Sequence, residues 1–206
     1  MPGVPDLHIL AISGSLRAHS SNSALLDAVA RLAPPGVHIE IDRSLGKLPH
    51  FNPDLDEQDS PLLPASVAAL RSRIGAADGL LLSTPEYAHG MPGSFKNLLD
   101  WLVASTEFPN IPVAILNPSA RAQHAPAQLV EVLTTMNAHL VTDASVTIPL
   151  SGRSIDGAAA AADPVIAGDL RAALGAFVRA VRESPRQRPR AIISLGLPHA
   201  PGDPVA

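Results

Sequence analysis

Five short apolar runs, each followed by a stretch of helical spacing, constrain this chain more than any other feature. Residues 7–12, 37–41, 79–83, 111–116 and 140–148 read as strands. Residues 22–32, 67–74, 92–104 and 126–138 and a segment opening at Asp163 and Pro164 read as helices. The 92–104 stretch places Phe95, Leu98, Leu99, Leu102 and Val103 on one stripe, and the last helix does the same with Ile166, Leu170, Leu174, Phe177 and Val181. Asn22 or Ser21 is the expected N-cap of the first helix. Pro34, Pro35 and Gly36 stop that helix, Gly75 closes the second, and residues 42–64 read as loop. Strands alternating with helices imply a parallel sheet covered on both faces. In such a sheet a ligand sits beyond the carboxyl ends of the strands, where the strand order reverses. That rule selects three loops, residues 13–21, 84–93 and 117–123.

The remaining bounds are compositional. A chain of 206 residues suits one α/β domain, here residues 1–183. Residues 184–206 read as a Pro-rich tail in which 191–195 forms a short edge strand. With aromatics at 3%, the core must be aliphatic. The absence of cysteine excludes disulfides, thiolate catalysis and Cys-ligated metal. A net charge of −4 disfavours a nucleic-acid surface, and the basic cluster from Arg179 to Arg190 is broken by prolines. No apolar run approaches the roughly 18–20 residues needed to span a bilayer, and residues 1–6 lack a signal-peptide pattern. A cytoplasmic protein with no membrane partner is the expectation.

Loop one reads Ser13-Gly14-Ser15-Leu16-Arg17-Ala18-His19-Ser20-Ser21-Asn22. Unpaired N–H groups at the following helix start, serine hydroxyls and the Arg17 guanidinium together suit a phosphate, with Gly14 permitting a tight turn. A plain Ser-rich strand-to-helix turn is an equally good account of the same residues. The loop is neither a Walker A sequence nor G-x-G-x-x-G. Loop two reads Thr84-Pro85-Glu86-Tyr87-Ala88-His89-Gly90-Met91-Pro92-Gly93. Gly90 and Gly93 allow close backbone approach to a flat ligand. Tyr87, the only tyrosine in the chain, either contacts that ligand or packs over the loop. His89 is expected to be exposed. Glu86 is expected to cap or bond the loop in preference to acting as a base, and Lys96 and Asn97 to bond loop carbonyls.

Gly14-Ser15-Leu16-Arg17, then Ser20 or Ser21 with Asn22, Pro85-Glu86-Tyr87, Pro92-Gly93, Lys96-Asn97, Asp100-Trp101 and Arg121-Ala122-Gln123 together resemble the NADPH-dependent FMN reductase family, which includes quinone, azo-dye and chromate reductases. The resemblance implies a flavodoxin-like three-layer α/β fold with a five-stranded parallel sheet of order 2-1-3-4-5. It implies non-covalent FMN reduced by NADPH or NADH. Ser13, Ser15, Arg17, Ser20, Asn22 and Ser23 would hold the phosphate and ribityl region. Pro85, Glu86, Tyr87, Ala88 and Gly90 would border the ring system, mostly through backbone. Hydride chemistry then belongs to the flavin in a ping-pong scheme, with no catalytic side chain required. The acceptor is a flavin, a quinone, an azo compound or a metal oxyanion. A homodimer or homotetramer is implied, with the Asp100-Trp101 helix near its interface. Two departures stand out. The family often has Asn where this chain has Ala88, and its third loop is usually Gly-rich where this chain has Asn117-Pro118-Ser119-Ala120.

Two rivals share the fold: a flavin-binding electron carrier and a non-catalytic family member without flavin. A Ser–His–Asp hydrolase lacks its G-x-S-x-G elbow. The eight histidines show no i, i+4 pair beside a carboxylate, so no metal site is expected.

Overall fold

A computed structural model describes residues 5–56, 62–150 and 155–183. The 191–195 segment and the rest of the tail lie outside the described residues. The sheet is parallel, in the order β2-β1-β3-β4-β5. It is built from β1 (Leu7–Ser13), β2 (Val37–Asp42), β3 (Gly79–Ser83), β4 (Pro112–Asn117) and β5 (His139–Leu140). A further short strand, β6 (Val146–Thr147), pairs with the end of β4. Ile9 stands opposite Ile39 on one side and Gly79 on the other.

Side chains of the central strands alternate between two cores because successive residues of a strand point to opposite faces. Ile9, Ala11, Leu81, Ala114 and Leu116 fall in one cluster, and Leu10, Ile12, Leu80, Leu82, Val113 and Ile115 in the other. Both faces are therefore apolar, and the central strands read as continuous apolar runs. Helix α1 (Ser21–Arg31) and helix α6 (Pro164–Glu183) cover the first face. Helices α2 (Ala65–Ala76), α3 (Gly93–Asp100) and α4 (His124–Thr135) cover the second. All five expected apolar positions of α6 are buried. Asp163 caps α6, its Oδ1 accepting the N–H groups of Val165 at 2.9 Å and Ile166 at 3.1 Å. Phe177 packs so closely over Gly79 that a Cβ there would meet its ring at 2.7 Å.

The structure departs from the sequence expectation at several places. The α1 cap is Ser20, not Asn22 or Ser21; its hydroxyl accepts the Ser23 N–H at 3.4 Å. Helix α2 runs through Gly75 to Ala76. Helix α3 stops at Asp100, beyond which the chain tightens into turns and the Arg71 guanidinium takes the Trp101 carbonyl. Val103 accordingly leaves the apolar stripe and is 65% exposed. The single strand expected over 140–148 is broken by a 3-10 turn at Thr142–Ala144. There Ala144 dips into the core, and the Ser145 hydroxyl, not a strand carbonyl, accepts the Ile115 N–H at 3.0 Å. A short helix, α5 (Gly157–Ala162), was not anticipated; Asp156 caps it by accepting the Ala159 N–H at 2.8 Å. The 42–64 loop carries two 3-10 turns, Leu45–Lys47 and Pro53–Leu55.

Candidate functional site

The carboxyl ends of β1, β3 and β4 open into a cleft of about 1180 Å³, a little above the usual range of small-molecule sites. Residues of all three loops selected from the sequence line it.

Loop one is organised by its own hydroxyls. The buried Ser13 hydroxyl accepts the Ser23 hydroxyl at 3.0 Å and the Ser15 N–H at 3.3 Å. The Ser15 hydroxyl accepts the Arg17 N–H at 3.4 Å. These bonds fold the loop over the start of α1, whose first-turn N–H groups lack intrahelical acceptors and carry partial positive charge. Ser15, Arg17, Ser20, Ser21, Asn22 and Ser23 all line the cleft. Asn22 does more than line it: its side-chain oxygen accepts the Ser83 hydroxyl at 2.9 Å, tying α1 to the end of β3. Gly14 serves close approach and not a special turn conformation. Its N–H bonds the Ser83 carbonyl at 2.7 Å, and a Cβ there would lie 2.6 Å from the Thr84 hydroxyl and 3.0 Å from the Phe95 ring.

Loop two is a tight hairpin. Tyr87 and Gly90 exchange backbone hydrogen bonds of 2.9 and 3.0 Å. The two residues between them, Ala88 and His89, have φ of 48° and 59°, the left-handed region that such two-residue turns require and that normally selects Asn or Gly. Pro85, Glu86 and Tyr87 line the cleft, whereas Ala88 and Gly90 do not. Gly93 has open space around its Cβ position, so no close approach needs it. Tyr87 is 51% exposed. The Glu86 carboxylate caps α4, its Oε2 accepting the N–H groups of His124 at 2.7 Å and Ala125 at 2.9 Å. The bond from Ala125 is the main cause that holds its pKa below the usual carboxylate value; the His124 N–H and the nearby imidazoles act in the same direction, against partial desolvation. His89 is exposed, yet it is not isolated: its ring stacks on that of His124 with centroids 4.2 Å apart.

Two expected loop contacts fall elsewhere. Lys96 pairs with Asp100 on its own helix. Asn97 and Trp101 instead hold the 49–51 segment: both donate to the Pro49 carbonyl, at 2.9 and 2.8 Å, and the Asn97 oxygen accepts the Phe51 N–H at 2.7 Å.

Loop three is braced by Asn117, whose side chain accepts the Ser119 N–H at 3.1 Å and donates to the Ala122 carbonyl at 3.1 Å. The cleft is also lined by Arg43, just past β2, by Arg121, and by Ile155, Asp156, Gly157 and Ala159 at the start of α5. The rule that ligands gather beyond strand carboxyl ends points to Arg43; no sequence signal marks the 155–159 segment. Arg17, Arg43 and Arg121 form no ion pair among the described residues. A helix N-terminus, serine hydroxyls and a guanidinium free of carboxylate partners fit a phosphomonoester nucleotide.

Residues 7–152 match the family described as NADPH-dependent FMN reductase. The chain is 37% identical over 159 residues to an NAD(P)H-dependent FMN reductase of Pseudomonas aeruginosa, across 73% of this chain and 82% of that protein. It is 32% identical over 108 residues to the quinone reductase of Escherichia coli, across 52% of this chain and only 55% of that one. Among solved structures it is similar to the flavoenzyme NAD(P)H:(acceptor) oxidoreductase FerB of Paracoccus denitrificans. There the TM-score is 0.66 at 26% identity, covering 86% of this chain and 98% of that one. An NADH:FMN oxidoreductase, at 23% identity and a TM-score of 0.65 over 88% of this chain and 94% of that one, shares the fold.

Proposed function

The chain belongs to the NADPH-dependent FMN reductase family, and from that premise we propose that it is an FMN-dependent NAD(P)H oxidoreductase acting on small acceptors. The observation that carries this reading is the cleft at the strand carboxyl ends, with the α1 N-terminus and Arg17 on its wall. Bound FMN would supply the redox chemistry, a hydride transfer from NAD(P)H to an acceptor in ping-pong order.

The chain's own residues bind and orient. Arg17, the first-turn N–H groups of α1 and the hydroxyls of Ser15, Ser20 and Ser23 hold the phosphate and ribityl end. Ser13 acts through Ser15 and Ser23, which it positions, and Asn22 keeps α1 seated on β3. Pro85, Glu86 and Tyr87 form the wall for the ring system. Ala88 and Gly90 shape the turn behind that wall, as the hairpin bonds support. Glu86 is not a proton carrier in this reading, because its carboxylate is committed to the α4 N-terminus. Arg43 and Arg121 leave cationic surface beyond what one phosphate needs, which supports a phosphorylated dinucleotide as reductant.

Flavins, quinones, azo compounds and metal oxyanions are the acceptor classes, and the relatives' names favour a quinone. The assembly is a homodimer or homotetramer in the cytoplasm. Trp101 is fully buried, so an interface near α3 would run over the exposed Val103 and not over the tryptophan. No described helix is long and apolar enough to cross a membrane. Initial rates of NADPH oxidation at several benzoquinone concentrations test the reading. FMN-dependent turnover with parallel double-reciprocal lines is expected. Intersecting lines would remove the ping-pong order, and no turnover with any acceptor class would remove the enzyme.

A further inference from the structure

We propose that Glu86, His89 and His124 form a surface site for a divalent transition metal of the zinc class. Each offers one ligand atom, and the three atoms all lie within 4.8 Å of one another. The residues come from loop two and from the start of α4, separated in sequence by more than thirty positions, so only the tertiary fold brings them together. Sequence spacing could not reveal them, because the ligands share no helix.

The donor set is chemically selective. Two imidazoles and a carboxylate suit Zn²⁺, Ni²⁺ or Cu²⁺, whereas Ca²⁺ and Mg²⁺ favour all-oxygen shells. The approach of the three groups is also held in place. His89 is presented by a turn in which it and Ala88 both occupy the left-handed region, a strained conformation for residues other than Gly or Asn. The two backbone hydrogen bonds between Tyr87 and Gly90 hold that turn. Glu86 is fixed by two hydrogen bonds that both fall on Oε2. Its Oε1 accepts none among the described residues and keeps its lone pairs for a cation. The positive end of the α4 dipole opposes a cation nearby, and the Glu86 carboxylate seated on that end offsets it.

Tetrahedral zinc with bonds near 2.0–2.2 Å places neighbouring ligand atoms about 3.3 Å apart. The trio must therefore close by roughly 1–1.5 Å, and the stacked rings must swing apart to aim their nitrogens at one point. Both imidazoles are exposed, so side-chain rotation achieves this without disturbing the core. The remaining position is open to water. An ion bound there would clasp loop two to α4 and so brace one wall of the cleft. None of this rests on flavin binding, and the two readings fail separately.

Calorimetric titration of Zn²⁺ into the full-length protein at neutral pH, with and without added FMN, tests the site. His89→Ala and His124→Ala remove ligands singly, and His139→Ala, an exposed histidine on β5, serves as control. One Zn²⁺ per chain is expected. Loss of even an outer-shell partner costs about 10–100-fold in metal affinity, so each ligand variant is expected to weaken binding by at least about tenfold, with the control unchanged. Zn²⁺ should also raise the melting temperature of the wild type and the control but not of the ligand variants. Absence of saturable binding, or equal binding by all variants, would overturn the site. The two ligand variants report independently, so misfolding of one leaves the other decisive.

Discussion

At the scale of single residues, the clearest tension in the chain is at Ala88. It occupies a left-handed turn position with φ of 48°, where an L residue other than Asn or Gly pays about 1–2 kcal/mol. Ala88→Asn is therefore expected to stabilise the protein by about 0.5–1 kcal/mol, read as a higher midpoint in urea denaturation; a lower midpoint would mean the turn is not as described. Arg17 carries the opposite kind of significance, functional and not conformational. A hydrogen bond to a charged group contributes about 1.5–3 kcal/mol, so Arg17→Ala should weaken FMN binding by roughly ten- to a hundredfold in a fluorescence-quenching titration. Unchanged affinity would take Arg17 out of the site. The sequence identified Ser15, Arg17 and Tyr87 as cleft residues because loop position alone places them there. It misassigned Asn22 as a cap because a buried bond to Ser83 leaves no local signature.

At the scale of elements, legibility followed the contrast between apolar and polar positions. β3 is legible to the residue because Leu80–Leu82 is an unbroken apolar run between Gly79 and Ser83 and lies between covered faces. The apolar stripe of α6 was equally plain. Helix α5 was missed because its run of alanines offers no periodic contrast. The break between β5 and β6 escapes the sequence because Ala144, Val146 and Ile148 alternate with Ser145 and Thr147 like one strand; the Ser145 hydroxyl bonded to Ile115 makes the break tolerable. The Glu86–α4 contact was read as a cap or loop bond without its partner, which lies on another element. Its role is tested by Glu86→Ala. Hydrogen exchange at the His124 and Ala125 amides should accelerate while exchange in the central strands stays unchanged. Preserved protection at those two amides would mean that the carboxylate does not hold the helix start.

At the scale of the whole molecule, two aliphatic cores share one parallel sheet, and the site exists because of what the sheet does at its end. Reversal of the strand order between β1 and β3 leaves their loops parted at the top, and α1 brings its N-terminus to the gap. The sequence anticipated this because strand–helix alternation permits few topologies. Arg121 belongs to a loop the sequence selects and Arg43 follows a strand end, but that both line the cleft with Arg17 is seen only in the fold. The central claim is that this cleft binds FMN and exposes it to NAD(P)H. The most direct measurement is a visible absorption spectrum of the protein with added FMN after removal of free flavin, before and after anaerobic NADPH. Flavin bands that stay with the protein and bleach on NADPH addition are the predicted result. Retained bands that do not bleach with either NADPH or NADH would indicate an electron carrier, and protein that retains no flavin would contradict the account at its base.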